Sequence, residues 1–587
     1  MAALQHMAQA STFQKLPGFI LKKICQYTTL RHADHRKPSG VDESFRFTYR
    51  TDLFNSLCQE WTEVASELYF KDYYIEIRSD LNTVNGAHTL NTLDVPVTSI
   101  IPFTKIVYID LDLVDIISGK ALALLKNSLY SEATFSIART VHFNFTNNGI
   151  SNDECMMEYE KVAENLVCFI DTLKSMLPRL NKIRIIPGIA DSTIHNNMYA
   201  GFVQFVELMS SHNKRSPIEV SWPTNASQSS PTVVTGLSSI DITKPKDVEI
   251  VEALIHRNSS TLNSLTMVNT PGETIINIFE TPYGESVAYL MLEKLALTSM
   301  NKVPKPKYSL EDSPVLLPRL INLTIKWGHP FHDDVLFRGN NATLERVVLM
   351  VDIEFMAILN KFKVFGESNR PRLQHATLWN DPLSQGDKLE QGRLFSLFAL
   401  GMASKVPSLL LQSRFPTDVF VNGITQQPAI HSLRRLKLIN STLSFGTLLT
   451  LIESLPNLHE IAIMKLAPEQ KYSEMTPRIL LEHLHTSYYP LSNQLQYVKY
   501  FAGNMSNSMG HDTMCSMFLA LLCPRFTRFV VGGWLRKKYN RSIRKVIRTE
   551  PFIDYADRLG RLAFRDVGEN NMSFKAKPLD IYKKKEH

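Results

Sequence analysis

Chemistry would show in this chain as clusters of ligating, acid–base or nucleophilic side chains. Two histidine clusters are candidates. His329-Pro-Phe-His332-Asp333-Asp334 and His32-Ala-Asp34-His35 each hold the residue types that could supply metal ligands, although in polar stretches such residues are more often only solvated. His483 and His485 stand two apart in a segment read as helix, a spacing that does not share a face. A Gly-rich phosphate loop and a Gly-x-Ser-x-Gly elbow are both absent from the sequence. No acid–base or nucleophile constellation stands out. The sequence therefore nominates no catalytic residue, no metal and no cofactor, and is read as that of a non-enzyme. Binding chemistry stands out better. Arg346, Trp379, Arg435, Lys437, Tyr497, Lys499, Phe501, Arg528 and Arg565 are of basic and aromatic types, and Arg, Trp and Tyr are enriched where proteins grip partners.

These residues share a spacing, set by a short apolar kernel: an apolar residue, two of any type, an apolar residue, one of any type, an apolar residue. It is clearest in Leu455-Pro-Asn-Leu458-His-Glu-Ile461-Ala-Ile463 and Leu317-Pro-Arg-Leu320-Ile-Asn-Leu323-Thr-Ile325. Its first residue recurs at Leu180, Leu237, Leu262, Leu292, Leu320, Leu344, Leu373, Val406, Leu433, Leu458, Leu495, Phe526 and Leu559. The steps run from 24 to 37 residues, except for a first step of 57, about two repeats long. Apolar residues two apart fall on one face of a strand, and helix-length runs such as Gly446–Leu455 and Asp512–Leu522 supply the return. A unit that cannot bury its apolar face alone buries it against stacked copies. Positions two, four and six after each first residue then share the other face. Of these 39 positions, 11 are basic (Lys182, Arg184, Lys294, Lys326, Arg346, Arg435, Lys437, Lys499, Arg528, Arg561 and Arg565) and two acidic (Asp241 and Glu460). The whole chain is nearly balanced, with 64 Lys+Arg against 57 Asp+Glu, so this face is skewed.

Over roughly Phe103 to Phe564 the chain resembles the leucine-rich-repeat family in its irregular, long-repeat form. The resemblance implies an α/β solenoid, a curved parallel sheet with outer helices, whose concave face carries the basic and aromatic positions. A small helical unit precedes it. Leu16-Pro17 begins a helix with Ile20 and Ile24, and Leu57-Cys58-x-x-Trp61 lies on a second helix that ends at Tyr69 before the short strand Tyr73–Ile77. These positions resemble the F-box family, with Gly18-Phe19 where that family usually has a glutamate, and a longer connector between the helices. That resemblance implies docking, through Leu16, Pro17, Ile20, Ile24, Leu57 and Trp61, onto the Skp1-type adaptor of a cullin–RING ubiquitin ligase. The repeat concavity would hold a substrate protein.

The domain reading is therefore an F-box-like unit over 13–78, a linker or irregular first repeat over 79–102, the repeat array over 103–567 and a basic flexible tail over 568–587. Within it, strands are expected at Ile106–Leu111 and Val141–Phe145, helices at Ile116–Leu129 and Tyr159–Leu177, and a loop over Ser216–Pro231, rich in Ser, Pro and Asn. At 587 residues, 44% hydrophobic and 21% charged, the chain has the size and composition of an ordered multi-domain or solenoid protein. No apolar run is long enough to span a bilayer, and Met1 to Gln14 lacks the pattern of a secretory signal. Six scattered cysteines without a Cys-x-x-Cys pair fit reduced core thiols, hence a cytoplasmic or nuclear location. From Arg525 onward 17 Lys+Arg against 7 Asp+Glu give +10, leaving −3 for the rest of the +7 chain. An acidic protein is the expected substrate. Two alternatives stay open: a repeat scaffold that the F-box-like unit merely caps, and a nucleic-acid or acidic-partner binder using the basic C-terminal half.

Overall fold

A computed structural model describes residues 72–78, 83–88, 104–128, 134–145, 159–187, 196–212, 217–222, 234–245, 248–280, 286–299, 316–326, 335–340, 342–351, 353–361, 363–365, 371–380, 388–412, 418–426, 430–467, 494–501, 528–532, 562–567 and 571–576. The chain is of the α/β class: long runs of parallel strands with helices between them. It divides into two compact units, residues 1–270 with 287–292, and residues 271–286 with 293–587.

The strands form where the kernel places them. Its first residue sits in a tight turn, and the residues three and five later are the inward positions of the strand. Leu320, Leu323 and Ile325 are buried in this way, as are Leu344, Val347 and Leu349, and Leu458, Ile461 and Ile463. The turn comes in two forms. In Leu177-Pro-Arg-Leu180, Leu317-Pro-Arg-Leu320 and Leu455-Pro-Asn-Leu458, proline takes the second place, where its fixed φ suits a turn, and the fourth N–H donates to the first carbonyl at 3.1, 3.3 and 3.0 Å. In Asn258-x-x-Thr261-Leu262 and Asn340-x-x-Thr343-Leu344, the carbonyl of the buried asparagine accepts from both the threonine and leucine N–H groups at 2.9–3.2 Å. A second device repeats with the kernel. The carbonyls of Glu293, Ile321, Glu345, Pro407, Arg434 and His459 each accept two successive N–H groups from the start of the following strand, at 2.8–3.1 Å.

In the first unit the strands are β1 (Asp72–Arg78), β2 (Thr83–His88), β3 (Ile106–Leu111), β4 (Thr140–Phe145), β5 (Lys182–Pro187), β6 (Ile218–Trp222), β7 (Leu237–Thr243) and β8 (Ser264–Thr270). They pair in the order β2-β1-β3-β4-β5-β6-β7-β8, all parallel except for the antiparallel β1–β2 pair. The helices are α1 (Leu113–Ile117), α2 (Lys120–Lys126), α3 (Tyr159–Met176), α4 (Asn196–His212) and α5 (Val248–Arg257). An aromatic cluster fixes α4 on the sheet: Phe205 meets Phe143 and Phe145 edge-on at 5.3 and 5.4 Å between ring centroids, and Phe202 meets Trp222 at 5.6 Å.

In the second unit the strands are β9 (Lys294–Ser299), β10 (Asn322–Lys326), β11 (Arg346–Val351), β12 (His375–Asn380), β13 (Ser408–Gln412), β14 (Arg435–Ser444), β15 (Glu460–Ala467), β16 (Tyr497–Phe501), β17 (Arg528–Gly532), β18 (Leu562–Val567) and β19 (Asn571–Ala576). β9 to β17 pair in chain order, all parallel. The helices are α6 (Gly272–Asn277), α7 (Ile353–Lys361), α8 (Lys388–Ala403), α9 (Asp418–Gln426) and α10 (Phe445–Glu453). Ser444 caps α10, its hydroxyl accepting from Thr447 N at 3.1 Å.

Several expectations are corrected. The loop expected over Ser216–Pro231 contains β6, because Ile218, Val220 and Trp222 alternate inward despite polar neighbours. That strand fills the double-length step of the kernel. The single helix expected over Ile116–Leu129 is two short ones, broken at Gly119. There φ is +77°, and a Cβ would stand 2.9 Å from Asn165 Oδ1. The kernel at Leu559 leads into β18, which runs antiparallel to β19, while β19 pairs antiparallel with β17 as well. Thus β19 lies in the segment read as a tail over 568–587, and β2 in the segment read as a linker or irregular repeat over 79–102. The expected strand Tyr73–Ile77 is part of β1. The positions that carry the F-box resemblance, Leu16, Pro17, Ile20, Ile24, Leu57, Cys58, Trp61 and Tyr69, lie outside the described residues, as does the expected helix Asp512–Leu522.

Candidate binding face of the sheet

The residues between the inward ones occupy the open face of each sheet, opposite the apolar rows, and strand register decides which of them are neighbours. In the second unit one row runs Lys294, Asn322, Arg346, His375, Ser408, Arg435, Glu460, Tyr497, Arg528. The next row, two residues along, contains Lys437, Ala462, Lys499 and Val530. A third row contains Met350, Trp379 and Gln412 on β11, β12 and β13, and pairs Phe501 with Gly532. These are the positions two, four and six after each kernel start, so the spacing read from the sequence is the register of the sheet. Adjacent strands lie about 4.8 Å apart. Arg346 and Arg435, three strands apart, therefore stand roughly 14 Å apart along their row.

The register brings together most of the residues nominated for binding. Arg346, Trp379, Arg435, Lys437 and Tyr497 stand on this face, while Lys499, Phe501 and Arg528 hold the matching register positions. Arg565 reaches the second row by another path: it pairs with Ser573 on β19, and Ser573 pairs with Val530 on β17. Arg561 lies outside the described residues.

Charge on this face is less uniform than its composition implies. Glu460 stands beside Arg435 in the row, and its two carboxylate oxygens lie 3.7 Å from Arg435 Nε and 3.7 Å from Lys437 Nζ. One carboxylate thus offsets the mutual repulsion of the two cations. These are half-exposed pairs, each worth little to stability. His375 lies on the other side of Arg435, one strand beyond Ser408. Its pKa is lowered by desolvation, then by the Arg346 and Arg435 charges, with Glu345 opposing, which favours the neutral imidazole. Lys326 reaches across β11 to place Nζ 4.4 Å from the centroid of the Trp379 ring. The Trp379 Nε1 donor is buried and has no hydrogen-bond partner among the described residues.

The first unit's open face is charged but mixed. One row runs Tyr108, His142, Arg184, Glu219, Ser239, Ser264. The Tyr108 and His142 rings lie 4.7 Å apart, and Lys182 Nζ is 2.7 Å from Glu219 Oε1. Burial, then the Arg184 charge, pushes His142 down to about 4, against the smaller pull of Glu219. Burial raises Asp110, with Asn144 opposing through a hydrogen bond, and burial raises Asp241, with Arg184 opposing. Of the charged and titratable residues in this group the kernel had reached only Lys182, Arg184 and Asp241.

The metal reading gains nothing. Both histidine–aspartate clusters, and His483 and His485, lie outside the described residues. Among the described residues no three His, Cys, Asp or Glu side chains converge as a cation site. No described helix is long and apolar enough to cross a membrane. Cys168, expected among core thiols, is free and exposed on α3. Set against known protein families the chain matches none, and no curated protein matches it.

Proposed function

We propose that the chain is a non-catalytic interaction receptor whose parallel sheets and return helices form a leucine-rich-repeat solenoid, with the open face as its concave binding surface. The observation that carries this reading is the set of register-matched rows of basic and aromatic positions on β11 to β17, among them Arg346, Arg435, Lys437 and Tyr497. The returning kernel and the repeated carbonyls that each accept two N–H groups support a single unit stacked many times. The partner is an acidic protein segment, drawn by the basic rows and anchored on Trp379 and Tyr497. The N-terminal segment, by its resemblance to the F-box family, brings that partner to a Skp1-type adaptor and cullin in the cytoplasm or nucleus. No cofactor is needed for such a role.

Affinity purification of the full chain with mass spectrometry tests both halves. Recovery of an adaptor and a cullin, reduced by Leu16→Ala with Trp61→Ala, supports the ligase role. Failure to recover either leaves a scaffold capped by its N-terminal unit. Charge reversal at Arg435, Lys437 and Lys499 should cut recovery of the acidic partner, more at low salt than at high, because the Debye length is only about 8 Å at physiological ionic strength. Unchanged recovery at both salts removes the face from consideration. Recovery of mainly RNA or DNA replaces the protein partner with a nucleic acid.

A further inference from the structure

One position on the open face of the second unit keeps a hydrogen-bond donor unused. Trp379 stands near the end of β12, and its indole Nε1 is buried without a partner among the described residues. Most buried polar groups are bonded, because an unbonded one has given up water for nothing. Phenylalanine would suit the same strand position and carry no such donor. Asn380, the next residue, turns to the inner face, is 7% exposed, and leaves its Nδ2 unbonded as well. Local departures of this kind collect at functional sites.

A cation stands at the same place. Lys326 closes β10, and its Nζ lies 4.4 Å from the centroid of the Trp379 ring. To reach the ring the side chain crosses β11 at Met350, which register places between the two. Met350 is only 8% exposed although it belongs to the open face. The row continues past Trp379 to Gln412 on β13. The ring attracts the ammonium without cancelling its charge. Arg435 and Lys437 differ in this respect, since Glu460 supplies both with a carboxylate.

We infer that Trp379 Nε1 and Lys326 Nζ together bind one carboxylate, the side chain of a glutamate or aspartate in an extended acidic segment lying across the ends of β10 to β13. One carboxylate oxygen accepts from the indole N–H. The other accepts from the ammonium, whose flexible stem lets it move from the face of the ring to its edge. The inference rests on the acidic-partner reading above and narrows it: the specific contact lies at Lys326 and Trp379, not at the cations that Glu460 already meets. The donor set selects a carboxylate over a phosphate. A phosphorylated residue brings close to two charges on three oxygens and is typically gripped by several arginines, whereas this pair offers one cation and one neutral donor.

The test is calorimetric titration of the full chain with decaglutamate at low salt, with decalysine as the control. Decaglutamate should bind and decalysine should not. Trp379→Phe keeps a ring under Lys326 and deletes the N–H, so decaglutamate should bind about tenfold more weakly while the denaturation midpoint holds. Lys326→Met keeps the stem across Met350 and removes the charge, and should also weaken binding about tenfold. If Trp379→Phe fails to fold, Lys326→Met decides. Absence of binding by the parent, equal binding of the two peptides, or full affinity in either variant overturns the inference. Full affinity in both variants, with binding lost on charge reversal at Arg435, Lys437 and Lys499, overturns this site and leaves the acidic-partner reading standing.

Discussion

Asn258 is fully buried, and its side-chain amide joins three backbone groups. Oδ1 accepts from Leu237 N at 2.9 Å, and Nδ2 donates to the carbonyls of Val234 at 2.9 Å and Leu254 at 2.8 Å. It thereby ties the end of α5 to the start of β7, across 21 residues of chain. Asn258→Ala removes all three bonds and strands at least the Leu237 N–H and the Val234 carbonyl away from water. A hydrogen bond contributes about 0.5–1.5 kcal/mol net, and an orphaned buried group costs about 1–3 kcal/mol. The two counts overlap, so the expected loss is roughly 3–5 kcal/mol.

Two further asparagines calibrate this figure. Asn340 is also buried, and its Nδ2 donates to the Leu336 carbonyl at 2.8 Å, the counterpart of the Asn258–Leu254 bond. Asn457 makes one at the surface, to the His431 carbonyl at 2.8 Å, and should cost under about 1 kcal/mol as alanine. Both buried asparagines should therefore cost more than Asn457 when replaced by alanine. Asn258→Asp keeps the shape but turns an acceptor toward two carbonyls, so it should cost at least as much as the alanine. Guanidinium denaturation gives the global figures. Amide exchange at Leu237, whose N–H is bonded to the missing group, gives the local one. A loss for Asn258→Ala no larger than for Asn457→Ala would refute the view that this asparagine couples the repeats.

Three further outcomes follow from the geometry. Glu460→Gln removes the shared counter-charge of Arg435 and Lys437; stability should change by less than about 1 kcal/mol, while, on the proposed function, recovery of an acidic partner in low-salt pull-downs rises. Gly401→Ala on α8, where a Cβ meets nothing within 4 Å among the described residues, should stabilise by up to about 1 kcal/mol, and Gly423→Ala on α9 should destabilise because Leu400 must move, both read from denaturation midpoints. His142, lowered to about 4, stays neutral in the fold while the unfolded chain protonates near 6.5, so its contribution is present above pH 6.5 and is lost as pH falls toward 4. Asp110 and Asp241, raised, act in the opposite sense but are shared by parent and variant, so the difference between the two isolates the histidine: between pH 7 and 5 His142→Gln should lose less stability than the parent.

What the sequence showed of the fold was its strands, because a period of two locks each kernel to one face, and a slip of one residue would turn that face over. The copies that escaped kept the two strand positions and changed the first. Thr104 stands where leucine was expected before Val107 and Ile109, Ala138 before Val141 and Phe143, and Arg215 before Ile218 and Val220. Thr104 and Ala138 are buried all the same, since a turn position tolerates small and polar residues that a strand interior does not. Two of these strands, at Ile106–Leu111 and Val141–Phe145, were expected all the same, but outside the kernel count Asp110, His142 and Glu219 were not placed on the open face, and so its mixed charge in the first unit was not read. In the second unit the kernel marks every strand from β9 to β17, whose rows could be read directly from residue numbers, while the antiparallel β18 and β19 depart from it.

The helices carried no comparable signal, because return segments vary in length and their partners are not fixed by period. The pairing of side chains was hidden as well, even on the sheet. Lys326 and Trp379 each stand six positions after a kernel start, Leu320 and Leu373, so spacing alone put both on the open face. They are 53 positions apart in the sequence, a separation that does not say that one reaches the other. The reach across β11 and the unbonded indole N–H depend on how each side chain turns among its neighbours, not on the period of the chain. That is why the rows of the sheet face could be argued from spacing, while the carboxylate site required the side chains themselves.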